Sequence, residues 1–198
     1  MTKYILYSGG MKKSSDKGKK FFEEVFKGLG KNPKLLVCNF AQPRENWEEK
    51  FAQDQEHLRE LFTEDIEPIL TLAFPDKFEQ QIKECDAIYI RGGDDHLIQY
   101  WLHQFDLPKI WEGKAVSAIS AGSNALSTYF WTCDWRQCMD GLGILPIKFL
   151  AHYESEYGVN DSRGPVGWER GRSELEKFGD ANLPIYALKE GEFEIFEI

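Results

Sequence analysis

The sequence has no apolar run near the ~18 residues that a membrane-crossing helix needs. It also lacks basic excess. The 24 Lys and Arg stand against 33 Asp and Glu, a formal net charge of −9, so the broad positive surface that grips nucleic acid is not to be expected. The early lysines Lys12, Lys13, Lys17, Lys19 and Lys20 are interrupted by Asp16 and read as the solvated start of a helix rather than a binding patch. Cysteine is scarce. Cys38 and Cys85 lie in or beside strand-like segments and read as small buried hydrophobes. Cys133 and Cys138 have no second Cys or His pair nearby, which a structural zinc would want. These thiols, and a chain that enters a strand at once with no secretory leader pattern, point to a cytoplasmic protein. Residues 1–198 are expected to form one domain, long enough to bury about 70% of the unfolded surface.

What is present is an alternation of short apolar runs and amphipathic stretches. Candidate strands are Tyr4–Tyr7, Leu35–Phe40, Pro68–Ala73, Ala87–Ile90 and Ala115–Ile119. Between the first two, Phe21, Phe22, Val25, Phe26 and Leu29 repeat at helical spacing. Between the next two, Trp47, Phe51, Leu58, Leu61 and Phe62 do the same. The strands are continuously apolar, which predicts a sheet covered on both faces. Strand–helix repetition predicts a doubly wound, mostly parallel α/β fold. After about Thr128 the rhythm changes. Residues Trp131–Trp135 read as aromatic and irregular, and residues 153–168 as a long loop, which in a compact domain is usually functional. A helix over Glu169–Phe178 and two strands, Ile185–Leu188 and Phe193–Ile198, joined through Glu190-Gly191, complete the pattern.

One segment carries chemistry. Ala118-Ile119-Ser120-Ala121-Gly122 follows an apolar strand and opens into a helix. A serine at such a strand–turn–helix apex is pushed out at the carboxyl end of the sheet, and the next N–H points where an oxyanion would sit. Taken alone, the pentapeptide equally fits a small residue closing a strand–helix junction. A nucleophilic serine needs a base, and only four histidines are available. His57 lies on the polar face of a charged helix, His96 in the first turn after a glycine pair, and His103 near a helix end. Only His152 follows Ser120 in sequence, at the end of a strand, where it can face the same rim. A third loop, Arg91-Gly92-Gly93-Asp94-Asp95, follows another strand. Its glycines let backbone N–H groups approach a ligand, while Asp94 and Asp95 suit helix capping and argue against phosphate.

Gly92-Gly93-Asp94, then Ser120-Ala121-Gly122-Ser123-Asn124, then Asp140 to Pro146 running on to His152, resemble the dipeptidase E and cyanophycinase family of serine peptidases. The resemblance runs from about Tyr4 to the C-terminus. It implies a flavodoxin-like fold related to class I glutamine amidotransferases, Ser120 as nucleophile and His152 as general base. It implies oxyanion donors from the N–H of Ala121 and of the Gly93-Asp94 turn, no metal or cofactor, and short peptides as substrates. Where the family usually has Gly, Thr or Ser, and Pro, this chain has Ala118, Asp95 and Ala151. For the acid that orients the imidazole, Glu190 corresponds best to the family's residue. Glu154 fits the His-x-Glu spacing of amidotransferases, and Asp134 and Asp140 lie between serine and histidine as an α/β-hydrolase order requires. The family also implies an N-terminal aspartate in the substrate. The loop and helix after His152 bring Arg163, Arg170 and Arg172 past the expected cleft, and Arg170 best fits the family's arginine-bearing segment as the reader; a surface pairing of Arg170 with Glu169 or Glu174 is the alternative. A related serine hydrolase (an esterase or a cyanophycinase-like enzyme) or a non-catalytic binding module on the same fold are the rival readings. Trp131, Trp135 and Trp168, if exposed, would permit a homodimer or equally line the substrate cleft.

Overall fold

The computed structural model describes residues 1–62 and 66–198. Five strands alternate their side chains between two cores. Ile5 and Tyr7 of β1 (Lys3–Tyr7), Leu35 and Val37 of β2 (Lys34–Cys38), and Ala87 and Tyr89 of β4 (Ala87–Ile90) face one side. Tyr4, Leu6, Leu36, Cys38, Ile88 and Ile90 face the other, with Val116 and Ala118 of β5 (Ala115–Ile119). Both faces are apolar because both are covered, as expected for parallel strands with helices on either side. β3 (Ile69–Leu72) lies at one edge and is half-exposed.

The six-stranded sheet has the order β10-β1-β5-β4-β2-β3. β1, β5, β4, β2 and β3 run parallel, and β10 (Phe193–Glu197) pairs antiparallel with β1. The doubly wound α/β expectation therefore holds. The carboxyl ends of β1, β5, β4 and β2 all open onto one rim, where ligands of such sheets bind. On one face lie α1 (Lys19–Phe26) and part of α2 (Trp47–Leu61). On the other lie α3 (Phe78–Glu84), α4 (Asp95–Leu102) and α5 (Ala121–Leu126). Burial pushes the Cys38 thiol up to about 12 and the Cys85 thiol up to about 11, so both behave as the inert hydrophobes their setting implied. Among the described residues, no helix is long and apolar enough to cross a membrane.

A second sheet was not anticipated. It has the order β7-β6-β8-β9, built from β6 (Ser127–Thr132), β7 (Gln137–Asp140), β8 (Leu145–Leu150) and β9 (Ile185–Ala187). The stretch that looked irregular is thus a β6–β7 hairpin, with Trp131 opposite Cys138. Phe130 and Phe149 point to the main core, while Trp131 and Leu150 meet Leu175 of α6 (Trp168–Lys177) on the outer face. Trp131 is buried and Trp168 half-buried; of the three tryptophans considered for a dimer surface, only Trp135 is exposed. The two closing strands do not pair with each other. β9 joins β8, and β10 crosses to β1, so the Glu190 turn spans the two sheets.

Phe21 sits at the centre of the aromatic cluster under the rim, edge-on to Tyr7, Phe22, Tyr89 and Phe193. Phe21→Ala should lower unfolding free energy by about 3–5 kcal/mol in urea denaturation, through lost burial and a cavity that this packed cluster cannot close.

Candidate active site

Ser120 occupies a backbone conformation that side chains rarely adopt, φ 53° and ψ −117°. It is held there from both sides: its N–H donates to Tyr7 O at 3.0 Å, and its carbonyl accepts from Asn124 N–H at 2.9 Å. The Ser123 hydroxyl donates to the same Tyr7 carbonyl at 2.9 Å. The turn is tight against its neighbour, because a Cβ on Gly122 would stand 2.7 Å from Ile90 O. Strain of this kind persists only where the surroundings over-determine it.

His152 is also left-handed, with φ 58°, and its N–H donates to the Ser8 hydroxyl at 2.7 Å. Its Nε2 lies 3.0 Å from Ser120 Oγ, and its Nδ1 lies 3.0 Å from Glu190 Oε1. These three expected residues therefore form one hydrogen-bonded chain. The other three acids do not reach the imidazole: Glu154 pairs with Lys189 at 2.6 Å, Asp134 accepts from the Tyr157 hydroxyl at 2.8 Å, and Asp140 sits exposed in β7 opposite Tyr129. Burial pulls the His152 pKa below the ordinary histidine value, and Glu190 offsets part of that shift. The imidazole is thus neutral near pH 7, free to accept a proton at Nε2 while Nδ1–H donates to the carboxylate.

A signal the motif reading passed over is Ser8-Gly9-Gly10, a second glycine pair at a strand's carboxyl end. A Cβ at Gly9 would stand 2.1 Å from His152 Cε1, and one at Gly10 would lie 2.6 Å from the Glu190 carboxyl carbon. Only a chain without side chains fits between the imidazole, its acid and β1.

The Gly92-Gly93-Asp94 turn lies beside the serine. A Cβ on Gly92 would stand 2.9 Å from the Ser120 Cβ. The Asp94 N–H, expected as an oxyanion donor, is instead bonded to Ala41 O at 2.8 Å, and the Asp94 side chain caps α4 through His96 and Leu97 N–H. Of the two N–H groups expected as donors in this turn, that leaves Gly93. Among the described residues, neither the Gly93 N–H nor the Ala121 N–H has an acceptor. Asp95, buried, takes hydrogen bonds from Asn124 Nδ2 at 2.9 Å and Thr132 Oγ1 at 2.6 Å. It ties the helix after the glycine turn to the helix after Ser120, fixing the spacing of those two N–H groups.

The cleft beside Ser120 and His152 has a volume of about 430 Å³. Its lining carries Lys12, Lys13, Lys50 and Arg91 with a single carboxylate, Asp54. Of the early lysines expected to be a solvated helix start, Lys12 and Lys13 thus reach the cleft, because the turn after β1 borders it. Arg91 Nη1 donates to Lys50 O at 3.0 Å and lies 3.4 Å from Asp54 Oδ2. Burial nevertheless pushes the Asp54 carboxyl up to about 6. Arg170 does not line the cleft; it is exposed on α6 and pairs with Glu174 at 2.8 Å, the surface alternative. Arg163 and Arg172 likewise pair locally, with Asp161 and Glu176.

The family model described as Peptidase family S51 matches residues 4–193. The crystal structure of a peptidase from an acI-B1 Actinobacterium aligns with a TM-score of 0.68 at 18% identity, covering 99% of this chain and 83% of that one. A peptidase E-like protein from Listeria monocytogenes EGD-e aligns with a TM-score of 0.68 at 15% identity, covering 99% of this chain and 97% of that one. At these identities the structural likeness speaks to the fold alone. No curated protein matches the sequence.

Gly9→Ala tests the packing of the site directly. With φ 153° and the new methyl group only 2.1 Å from His152 Cε1, His152 must move. A fluorophosphonate serine probe should then lose nearly all labelling of Ser120, while far-UV circular dichroism stays unchanged. Unimpaired labelling would mean the His152 ring is not held against Gly9.

Proposed function

Because the chain belongs to peptidase family S51, and is a peptidase on that ground, we propose that it hydrolyses short peptides through an acyl-enzyme on Ser120, His152 and Glu190. The observation that carries this reading is the unbroken chain Ser120 Oγ–His152 Nε2 and His152 Nδ1–Glu190 Oε1, both at 3.0 Å. Ser120 Oγ attacks the scissile carbonyl carbon as its proton passes to Nε2, and the carbonyl π pair moves onto oxygen. The N–H groups of Gly93 and Ala121 receive that oxyanion. The imidazolium, oriented and stabilised by Glu190, then gives its proton to the leaving amine as the C–N bond breaks. Water repeats the sequence on the ester, regenerating Ser120. The free thiols Cys38, Cys85, Cys133 and Cys138 support a cytoplasmic setting for this chemistry.

The favoured first residue is aspartate. Its support here is electrostatic: in a protein of formal charge −9, the cleft lining gathers Lys12, Lys13, Lys50 and Arg91 against Asp54 alone. A guanidinium already steadied on one edge can take a carboxylate on another. Arg91 is accordingly the reader in place of Arg170.

Ser120→Ala should cut turnover on a cleaved peptide by several orders of magnitude, on the order of 10⁶ in a fully coupled triad, with folding intact. The kcat/KM of the unmodified enzyme should rise with pH, its midpoint below the ordinary histidine value of 6.5, because His152 must be neutral to act. Glu190→Gln should lower kcat far more than Glu154→Gln. Retained activity in Ser120→Ala would remove the mechanism.

Comparing Asp-Leu with Ala-Leu tests the specificity separately. Arg91→Ala should reduce kcat/KM for Asp-Leu at least about tenfold more than for Ala-Leu, whereas Arg170→Ala should change neither, since an exposed i,i+4 pair contributes little. Equal losses on both peptides in Arg91→Ala would dismiss the aspartyl preference and leave the serine peptidase standing.

A further inference from the structure

The long loop after β8 returns one aromatic side chain to the site. Tyr157 stacks on His152 with ring centroids 4.3 Å apart and an interplanar angle of 26°, and it lines the cleft with Ser120. The ring does not lie there by chance packing alone. Its hydroxyl donates to Asp134 Oδ1 at 2.8 Å, and Asp134 stands in the tight turn between β6 and β7. The base of the loop is fastened as well, Tyr157 N–H to Ser155 Oγ at 3.1 Å and Trp168 Nε1 to Ser155 O at 3.1 Å. A tyrosine face is the negative end of a quadrupole, and a cation over it is attracted. Donating its proton toward a carboxylate makes the phenol more electron-rich. His152 becomes a cation only during the reaction, when it holds the serine proton.

We propose that Tyr157, anchored by Asp134, is a positioning residue that holds the His152 imidazole in plane for Ser120 and stabilises the imidazolium formed there. The inference rests on the triad reading above. Three charged groups bear on His152: Glu190 at Nδ1, Asp134 at the hydroxyl of the stacked Tyr157, and Lys13, whose Nζ lies 3.7 Å from Glu190 Oε2. Glu190 and Asp134 favour the charged imidazole and Lys13 opposes it. Glu190 reaches the imidazole along its edge, whereas Tyr157 and Asp134 act through its face. The two arms are therefore separable by substitution.

The test is the protonation of His152 in the full chain, read by NMR titration of its imidazole and, where a peptide is cleaved, by the acid limb of kcat/KM. Tyr157→Leu keeps an apolar cover but removes the aromatic face. It should lower the His152 pKa by about half a unit and reduce plateau kcat/KM about three- to tenfold. Tyr157→Phe keeps ring and cover but releases Asp134, so its shift should be in the same direction and smaller. Asp134→Asn, which leaves the ring in place, should also lower the pKa. If Tyr157→Leu leaves the pKa unchanged or raises it, the residue is only a cover over the imidazole and the proposal fails. The NMR reading needs no turnover. A downward shift in a protein that cleaves no peptide would uphold Tyr157's role and sink the peptidase mechanism instead; an active enzyme whose pKa rises would do the reverse.

Discussion

One buried hydroxyl holds the site together. Ser8 Oγ accepts the His152 N–H at 2.7 Å and donates to Leu188 O at 2.7 Å. Ser8 follows β1 of the large sheet, His152 follows β8 of the small sheet, and Leu188 follows β9 and leads into the Glu190 turn. A single oxygen thus joins the serine's sheet to both remaining members of the hydrogen-bonded chain. Backbone bonds complete the joint: Ser8 N–H to Glu192 O at 3.0 Å, Gly191 N–H to Gly9 O at 3.0 Å, and Tyr153 N–H to Leu188 O at 2.9 Å. Ser8, Gly9, His152, Tyr153 and Leu188 are buried, and any polar group left unpaired there would cost about 1–3 kcal/mol. The two sheets therefore cannot drift apart without a penalty that falls on the site itself.

The electrostatics of the rim follow from the same geometry. His152 is buried, and desolvation outweighs the attraction of Glu190, so its imidazole is held below the ordinary histidine value. Asp54 shows the same order of effects with the opposite charge. Arg91 at 3.4 Å favours its carboxylate, yet burial pushes the carboxyl up to about 6. At both positions removal from water is the larger influence, and the neighbouring charge moderates it. Exposed pairs such as Arg170–Glu174, at 2.8 Å with both side chains in solvent, lack that leverage and contribute little to either fold or site.

Ser120 and His152 both have positive φ, as do Lys17, Arg136 and Glu154 elsewhere in the chain. Each of the first two is restrained by bonds to a neighbouring strand end, Ser120 through Tyr7 and His152 through Ser8. Glycines at positions 9 and 10 are required by what approaches them, the imidazole and its acid. The site is thus pre-set by packing, and the cores on both faces of the large sheet supply the rigidity that keeps it so.

By itself, the sequence determined whatever depends on neighbours along the chain. Apolar runs such as Ala87–Ile90 specify strands, the spacing of Phe21, Phe22, Val25 and Phe26 specifies an amphipathic helix, and small residues around Ser120 specify a strand–turn–helix apex; all three stand in the fold. His152 was legible too, since it ends a strand and follows Ser120 in sequence. The second sheet was not, because β6 and β8 pair in parallel across a separation that local patterning does not encode, although the run Ser127 to Thr132 is rich in the aromatic and β-branched residues strands favour. The choice among Glu190, Glu154, Asp134 and Asp140 likewise belonged to the tertiary structure. All four are loop or edge acids to a reader of the sequence, and only the crossing of the chain from β9 to β10 brings one carboxylate to Nδ1. The same holds for cations: Arg170 and Arg91 carry equal charge, but helix geometry turns the first outward to Glu174 while the end of β4 delivers the second to the cleft wall. Contacts between residues distant in sequence are made by topology and burial, so the fold alone could decide them.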